Sequence, residues 1–394
     1  MRILAIDVGT GTQDILLFDS SQPVENALQM IMPSPTQIAA GRIRRATQNG
    51  RPILLTGVTM GGGPCHWALE EHLRAGLPAY ATPDAARTFD DDLEAVQRMG
   101  VTIISEDESR SLDADRVELR DLDLAAVRAA FAAFDVDTRF DGLALACLDH
   151  GAAPPGFSDR LFRFDHLRRV IQARNDLRAF AFLPHEIPGY LTRARALIAA
   201  ADRDVPSVFL DSGPAAALGA LQDPLVGRSE EHLVLNLGNM HALAFHLRGT
   251  RILSLYEHHT GEVTARQLED FSERLIAGTL PHEDVFGSKG HGVYYVDASA
   301  CHSERPRATR ASPRAQLSEE SRRPDAVHQR PLIAVTGPQR GKLRGSRLDP
   351  YFAVPHGDMM VCGCFGLLWA FAERYPQRRD EVLSALRLRE APLV

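Results

Sequence analysis

The stretch LAIDVGTGTQD, Leu4 to Asp14, is an apolar strand running into a turn of glycines and threonines, with an aspartate on either side. A second stretch, HLVLNLGNMHALAFHLRGTRILSLY from His232 to Tyr256, repeats the plan: an apolar strand, a polar residue, a glycine turn and another strand leading outward. Asp7 and Gly9 correspond to Asn236 and Gly238. Two such units, each followed by further strands and helices, predict an internally duplicated two-lobed α/β protein with a cleft between the turns. Glycines let backbone N–H groups approach phosphate oxygens, the Thr10 and Thr12 hydroxyls add hydrogen bonds, and a carboxylate can hold hydrated Mg²⁺. The same turns also fit ordinary tight connections between strands.

The rest of the chain reads as alternating strands and helices. Apolar runs such as PILLTGV, GLALACL, SVFLDS and PLIAVTG are strand-length and bounded by turn residues. CHWALEEHLRAG, DAARTFDDDLEAVQRMG, VTARQLEDFSERLIAG and FGLLWAFAERY space their apolar positions three and four apart, as helices do. The predicted lobes are residues 1–225 and 226–394. Residues 299–330, SACHSERPRATRASPRAQLSEESRRPDAVHQR, are rich in Ser, Arg and Pro and nearly lack large apolar side chains, which predicts a disordered surface insertion.

Composition narrows the function. In 394 residues, 44% hydrophobic and 24% charged, there is enough apolar material for two cores. A net charge of −7 argues against a nucleic-acid surface, which needs excess Lys and Arg. The sequence has no apolar run of membrane-spanning length, and too few residues precede the first glycine for a signal peptide, so the expectation is a cytoplasmic protein with no membrane partner. Cys65, Cys147, Cys301, Cys362 and Cys364 are too scattered for a disulfide framework and form no C-x-x-C pair, so reduced, buried thiols are expected.

Three stretches in order resemble the actin, Hsp70, sugar kinase and acetate kinase superfamily of two-lobed ATPases, whose fold is ribonuclease H-like. Asp7-Val-Gly-Thr-Gly-Thr resembles its first phosphate motif, Leu235 to Asn239 its second, and IAVTGPQRG, Ile333 to Gly341, its adenosine motif. The resemblance implies ATP and Mg²⁺ as cofactors, with Asp7 on the metal and Gly9, Thr10, Gly11, Thr12, Asn236, Gly238, Asn239 and Gly337 around the nucleotide. Asn236 stands where that superfamily usually has an aspartate, and Asp14 where many of its kinases have Lys or Arg. An acid at Asp14 is similar to the first motif of the hydantoinase and oxoprolinase branch, which couples nucleotide cleavage to amide chemistry. GTGTQD, MGGGP, DHG, TGPQR and PHGDMM also resemble a prokaryotic family labelled as related to the pyruvate formate-lyase activating enzyme. Radical activating enzymes of that type need a C-x3-C-x2-C cluster, which this sequence lacks.

Other residues could carry chemistry. GLALACLDHG ends a buried strand at Asp149 and His150, and polar residues at the carboxyl end of such a strand face the ligand crevice. Together with Asp14 they are the catalytic candidates, able to orient or deprotonate a hydroxyl or water, although Asp149 equally suits a capping turn. Asp211 and Ser212 read first as a helix N-cap. Gly61, Gly62 and Gly63 at a strand-to-helix junction, and Lys289 in FGSKGHG, one of only two lysines, are candidates for substrate binding. The activity expected is a phosphotransferase or an ATP-driven amide-chemistry enzyme acting on a small molecule, in a chain able to form a homodimer. A nucleotide-gated assembly module and a nucleotide-binding protein without turnover remain the alternatives.

Deleting residues 303–328 should leave the melting midpoint and the circular dichroism spectrum unchanged, because so polar a segment contributes little to any core. Loss of folded protein on deletion would contradict the composition argument.

Overall fold

A computed structural model describes residues 1–296 and 330–387. The insertion expected at 299–330, Arg330 apart, lies outside the described residues. The strands are β1 (Arg2–Val8), β2 (Thr12–Asp19), β3 (Leu28–Pro33), β4 (Ile53–Gly57), β5 (Ala79–Ala81), β6 (Val101–Ile103), β7 (Asp115–Leu119), β8 (Gly142–Cys147), β9 (Ala181–Phe182), β10 (Ser207–Asp211), β11 (Glu231–Leu237), β12 (His241–Arg248), β13 (Arg251–His259), β14 (Gly292–Tyr295), β15 (Leu332–Thr336) and β16 (Tyr351–Phe352).

One sheet has the order β3-β2-β1-β8-β10-β9 and another β14-β13-β12-β11-β15-β16. In the first, β1 pairs antiparallel with β2 and parallel with β8. In the second, β11 pairs antiparallel with β12 and parallel with β15. A meander of three antiparallel strands extended by parallel ones is the ribonuclease H-like plan, and here it is present twice. The chain has the two-lobed actin-like fold with the internal duplication that its glycine turns predict.

Between β3 and β8 the chain builds a third sheet, β6-β5-β4-β7, in which every pairing is parallel. It has a core of its own, with Ile53, Leu55, Leu69 and Val117 buried between it and the helices Pro35–Gln48 and Pro64–Arg74. DAARTFDDDLEAVQRMG, expected as one helix, is two short ones, Pro83–Ala86 and Leu93–Arg98. Asp90 Oδ1 accepts from the Asp92 N–H (2.8 Å) and Asp92 Oδ1 from the Glu94 N–H (2.9 Å), so aspartate side chains take backbone donors that a continuous helix needs.

Two helices cross between the lobes. Ser212–Ala220 leaves β10 of the first sheet and packs on β11 and β15 of the second. Cys362–Arg374 follows the second sheet and packs on β1, β8 and β10 of the first. Both are buried on nearly every side, which explains why their sequences are apolar all round rather than amphipathic. They touch backbone to backbone: a Cβ on Gly219 would lie 1.8 Å from the Cys362 carbonyl oxygen, and one on Gly366 1.9 Å from that of Ala215. Among the described residues no helix is long and apolar enough to cross a membrane.

Gly366→Ala must push these helices apart and should destabilise the protein by about 1–3 kcal/mol in urea unfolding. Gly41→Ala, in the interior of the helix Pro35–Gln48 with nothing within 4 Å of the added carbon, should instead be neutral or stabilising by up to about 1 kcal/mol.

Candidate functional site

The two glycine turns line one cleft from opposite lobes. They are built alike: the Gly9 N–H donates to the Thr12 carbonyl (3.0 Å) and the Gly238 N–H to the His241 carbonyl (2.9 Å). Gly11 packs directly on Asn239, because a Cβ there would sit 2.2 Å from Asn239 Nδ2. Gln339 Nε2 donates to Asn239 Oδ1 (3.2 Å). The turn after β15 comes equally close. Gly337 has φ +93°, and a Cβ on it would lie 2.5 Å from the Leu237 carbonyl oxygen. Asp7, Gly9, Thr10, Thr12, Asn236, Gly238, Asn239 and Gly337 all line the cleft, whereas Gly11, expected with them, is not in the lining.

Asp7 and Asp14 form its floor as direct cross-strand partners in the β1–β2 ladder. The matching pair in the second lobe is Asn236 and Leu243, so the duplication keeps the backbone but only the first lobe carries charge. Ser212 Oγ, at the start of the first crossover helix, donates to Asp7 Oδ1 (2.6 Å). The second crossover helix closes on the other oxygen, and only glycine fits at 363, where a Cβ would be 2.1 Å from Asp7 Oδ2. Asp14 Oδ1 is buried with no hydrogen-bond partner. Burial, helped by the Asp211 charge and opposed by the Ser212 hydrogen bond, pushes Asp7 up to about 6. Burial and the neighbouring Asp7 charge push Asp14 up to about 8. Two acids raised in this way form a site short of positive charge, suited to a hard divalent cation bound through oxygen.

The other candidates lie around this floor. Asp149 is buried and both its oxygens are used: Oδ1 accepts from the Gly151 N–H (2.8 Å) and Oδ2 from the Ala194 N–H (2.9 Å). His150 is not in the cleft lining, and its Nε2 lies 3.3 Å from Nε2 of His241, which is. Gly61, Gly62 and Gly63 stand beside the first turn, not in the cleft lining. A Cβ on Gly63 would touch the Thr10 methyl at 3.2 Å, and one on Gly61 would meet Arg193. Lys289 is exposed and pairs with Glu262 (3.0 Å), also outside the lining. Asp211 caps its helix, accepting from the Gly213 N–H (3.1 Å).

Sequence reasoning missed two arginines. Arg193 lines the cleft, with Nε on Asp121 Oδ2 (2.7 Å) and Nη1 on the Leu148 carbonyl (2.7 Å). Arg163 is fully buried, paired with Asp211 from the first sheet and with Glu257 (3.3 Å) from the second. Its signal was present in FRF, an arginine between two phenylalanines on a helix.

A family model described as "Putative pyruvate format-lyase activating enzyme (DUF1786)" matches residues 60–317. No curated protein matches the sequence. Among solved structures, the chain is similar to "Lmo2764 protein, a putative N-acetylmannosamine kinase, from Listeria monocytogenes" at 9% identity and TM-score 0.34, covering 95% of this chain and 99% of that one. The activator of the 2-hydroxyisocaproyl-CoA dehydratase from Clostridium difficile, with bound ADPNP, matches at 10% identity and TM-score 0.29 over the whole of both chains. The ethanolamine utilization protein EutJ from Carboxydothermus hydrogenoformans matches at 10% identity and TM-score 0.29, covering 94% of this chain and 89% of that one.

The raised acids predict a pH effect. Both bind protons more tightly in the folded protein than in the unfolded chain, so their contribution to stability is full at low pH and is lost as pH rises through about 6 and about 8. Asp14→Asn mimics the neutral acid. Without ligand it should match the wild type near pH 4 and exceed it near pH 9, on the order of 1–3 kcal/mol in urea unfolding.

Proposed function

This chain belongs to the family that carries that description, and we propose that its cleft binds ATP with Mg²⁺ and cleaves the γ-phosphate, transferring it to a small molecule or to water. The observation that carries the reading is the pair of like-built glycine turns facing each other above two acids, one of which has an orphaned oxygen. Backbone N–H groups and the Thr10 and Thr12 hydroxyls suit phosphate oxygens from one side, with Asn236, Gly238 and Asn239 opposite. Gly337, at the close approach of the third turn, suits the adenosine end.

The residues fit the metal. Asp7 offers a hard oxygen ligand with Asp14 beside it, and the elevation of both pKa values, due first to burial, is relieved when a cation replaces a proton. When bound, Mg²⁺ neutralises phosphate charge, which is most of what phosphoryl transfer asks of a site. Asp7, held by Ser212, anchors the cation. Asp14, returned to its carboxylate by the neighbouring cation, is placed to accept the proton of the attacking hydroxyl or water. Asp149, committed to two backbone amides, positions the end of β8. Without a C-x3-C-x2-C motif, and with the Cys65 and Cys362 thiols pushed by burial up to about 11 and about 12, the reading assigns no radical chemistry to the chain.

ATP with Mg²⁺ should stabilise the fold by about 2.7 kcal/mol at a free concentration one hundred times its dissociation constant. Affinity should tighten as pH rises from about 6 to about 8, since binding expels protons from the two acids. Asp7→Asn should weaken magnesium-dependent binding and turnover together, and Asp14→Asn turnover more than affinity. Calorimetry and phosphate release measure both. A protein whose melting no nucleotide shifts, or an Asp7→Asn variant with unchanged affinity and turnover, would rule the reading out.

A further inference from the structure

Behind the second glycine turn, three histidines from distant parts of the chain meet. His150 lies near the start of the loop after β8, His241 opens β12 and His291 precedes β14. One ring nitrogen from each lies within 4.8 Å of the other two. Their ring centroids form a nearly equilateral triangle, with sides of 5.1 Å, 5.2 Å and 5.2 Å.

Proton bookkeeping decides what these rings offer one another. His241 Nδ1 lies 3.1 Å from Glu257 Oε1, and an ionised carboxylate only accepts, so Nδ1 carries the proton and Nε2 of the neutral ring is a lone pair. His291 Nδ1 lies 3.3 Å from the Arg160 carbonyl oxygen, which also only accepts, so its Nε2 is a lone pair too. That nitrogen belongs to a fully buried ring and has no partner. The fully buried Arg163 guanidinium, 3.3 Å from its other oxygen, balances the Glu257 carboxylate. Two ring nitrogens left as lone pairs, one of them buried without a partner, converge with the Nε2 of His150, whose proton a cation would displace, and such a set suits a cation that accepts nitrogen ligands.

We propose that His150, His241 and His291 bind a zinc ion, with a fourth coordination position open beside the cleft that His241 lines. The spacing agrees. Zinc–imidazole bonds of about 2.0–2.1 Å at tetrahedral angles place ligand nitrogens about 3.3 Å apart, and His150 Nε2 and His241 Nε2 are 3.3 Å apart. The surroundings are those of a metal centre. Glu257 fixes the tautomer of His241, the Arg160 carbonyl that of His291, and Arg163 holds Glu257 in place. His259 packs against His241 and His291 at centroid distances of 4.9 Å and 4.8 Å and restricts the rings further. The ligand set differs in kind from the acids of the cleft floor. Hard Mg²⁺ prefers oxygen, whereas three imidazoles select a borderline ion. The zinc site stands or falls independently of the nucleotide reading.

The test loads the full chain, stripped with chelator, with Zn²⁺ alone and then with Co²⁺ alone. One equivalent of zinc should survive gel filtration, and Co²⁺ should give the intense visible absorption of a tetrahedral centre. His150→Gln and His291→Gln, checked for folding by circular dichroism, should each lose bound metal, and Glu257→Gln should weaken zinc affinity by about 10–100-fold. Wild-type protein that retains no stoichiometric zinc, or gives only the weak spectrum of octahedral cobalt, overturns the proposal. Folded histidine variants that keep the full equivalent overturn it as well. The wild-type measurements decide the matter if the variants fail to fold.

Discussion

A single buried guanidinium ties the molecule together. Arg163 has no exposed surface, and it reaches Asp211 at the end of β10 in one sheet and Glu257 on β13 in the other. Asp211 also caps the helix whose first residue, Ser212, holds Asp7. Glu257 also fixes the ring of His241. The cation thus sits between the acid floor of the cleft and the histidine cluster, and positions one member of each. Removing one partner of such a buried network typically costs about 3–5 kcal/mol, because the remaining charge is left without compensation. A Lys in its place would offer no planar fork to span two carboxylates.

Close backbone packing supplies the second constraint. The crossover helices meet at Gly219 and Gly366, and the later helix presents Gly363 to Asp7. Any side chain at these points would move one lobe relative to the other and open the cleft floor. Glycine here serves helix approach, whereas at Gly337 it also supplies a positive φ. The duplication is therefore more than an inherited pattern. Each lobe lends a helix to the other, and the floor of the cleft is assembled from both.

The two halves are alike in backbone and unlike in charge. Where the first ladder pairs Asp7 with Asp14, the second pairs Asn236 with Leu243. Keeping both acids on one side places two carboxyl groups at one buried point, where burial raises both pKa values and the Asp7 charge raises Asp14 further, which favours a cation there. The second lobe places His241 immediately after its turn instead, and that residue faces the nitrogen-rich cluster.

What the sequence determined by itself was local. RILAIDV is β1 to the residue, and the glycine turns, the helix cap at Asp211 and the alternation of strands with helices all follow from interactions within a few residues, which any sequence window contains. The doubled plan was legible because the same local pattern occurs twice. The third sheet was not legible as a unit, since its strands β5 and β6 are only three residues long and gain their stability from pairing. Asp14 was legible as a catalytic candidate, but only the β1–β2 register placed it opposite Asp7. Arg163, Arg193 and the meeting of His150, His241 and His291 were decided by tertiary structure alone. Strand order and lobe docking bring these side chains together across long stretches of chain, and no periodicity along the sequence encodes which distant positions share a point in space.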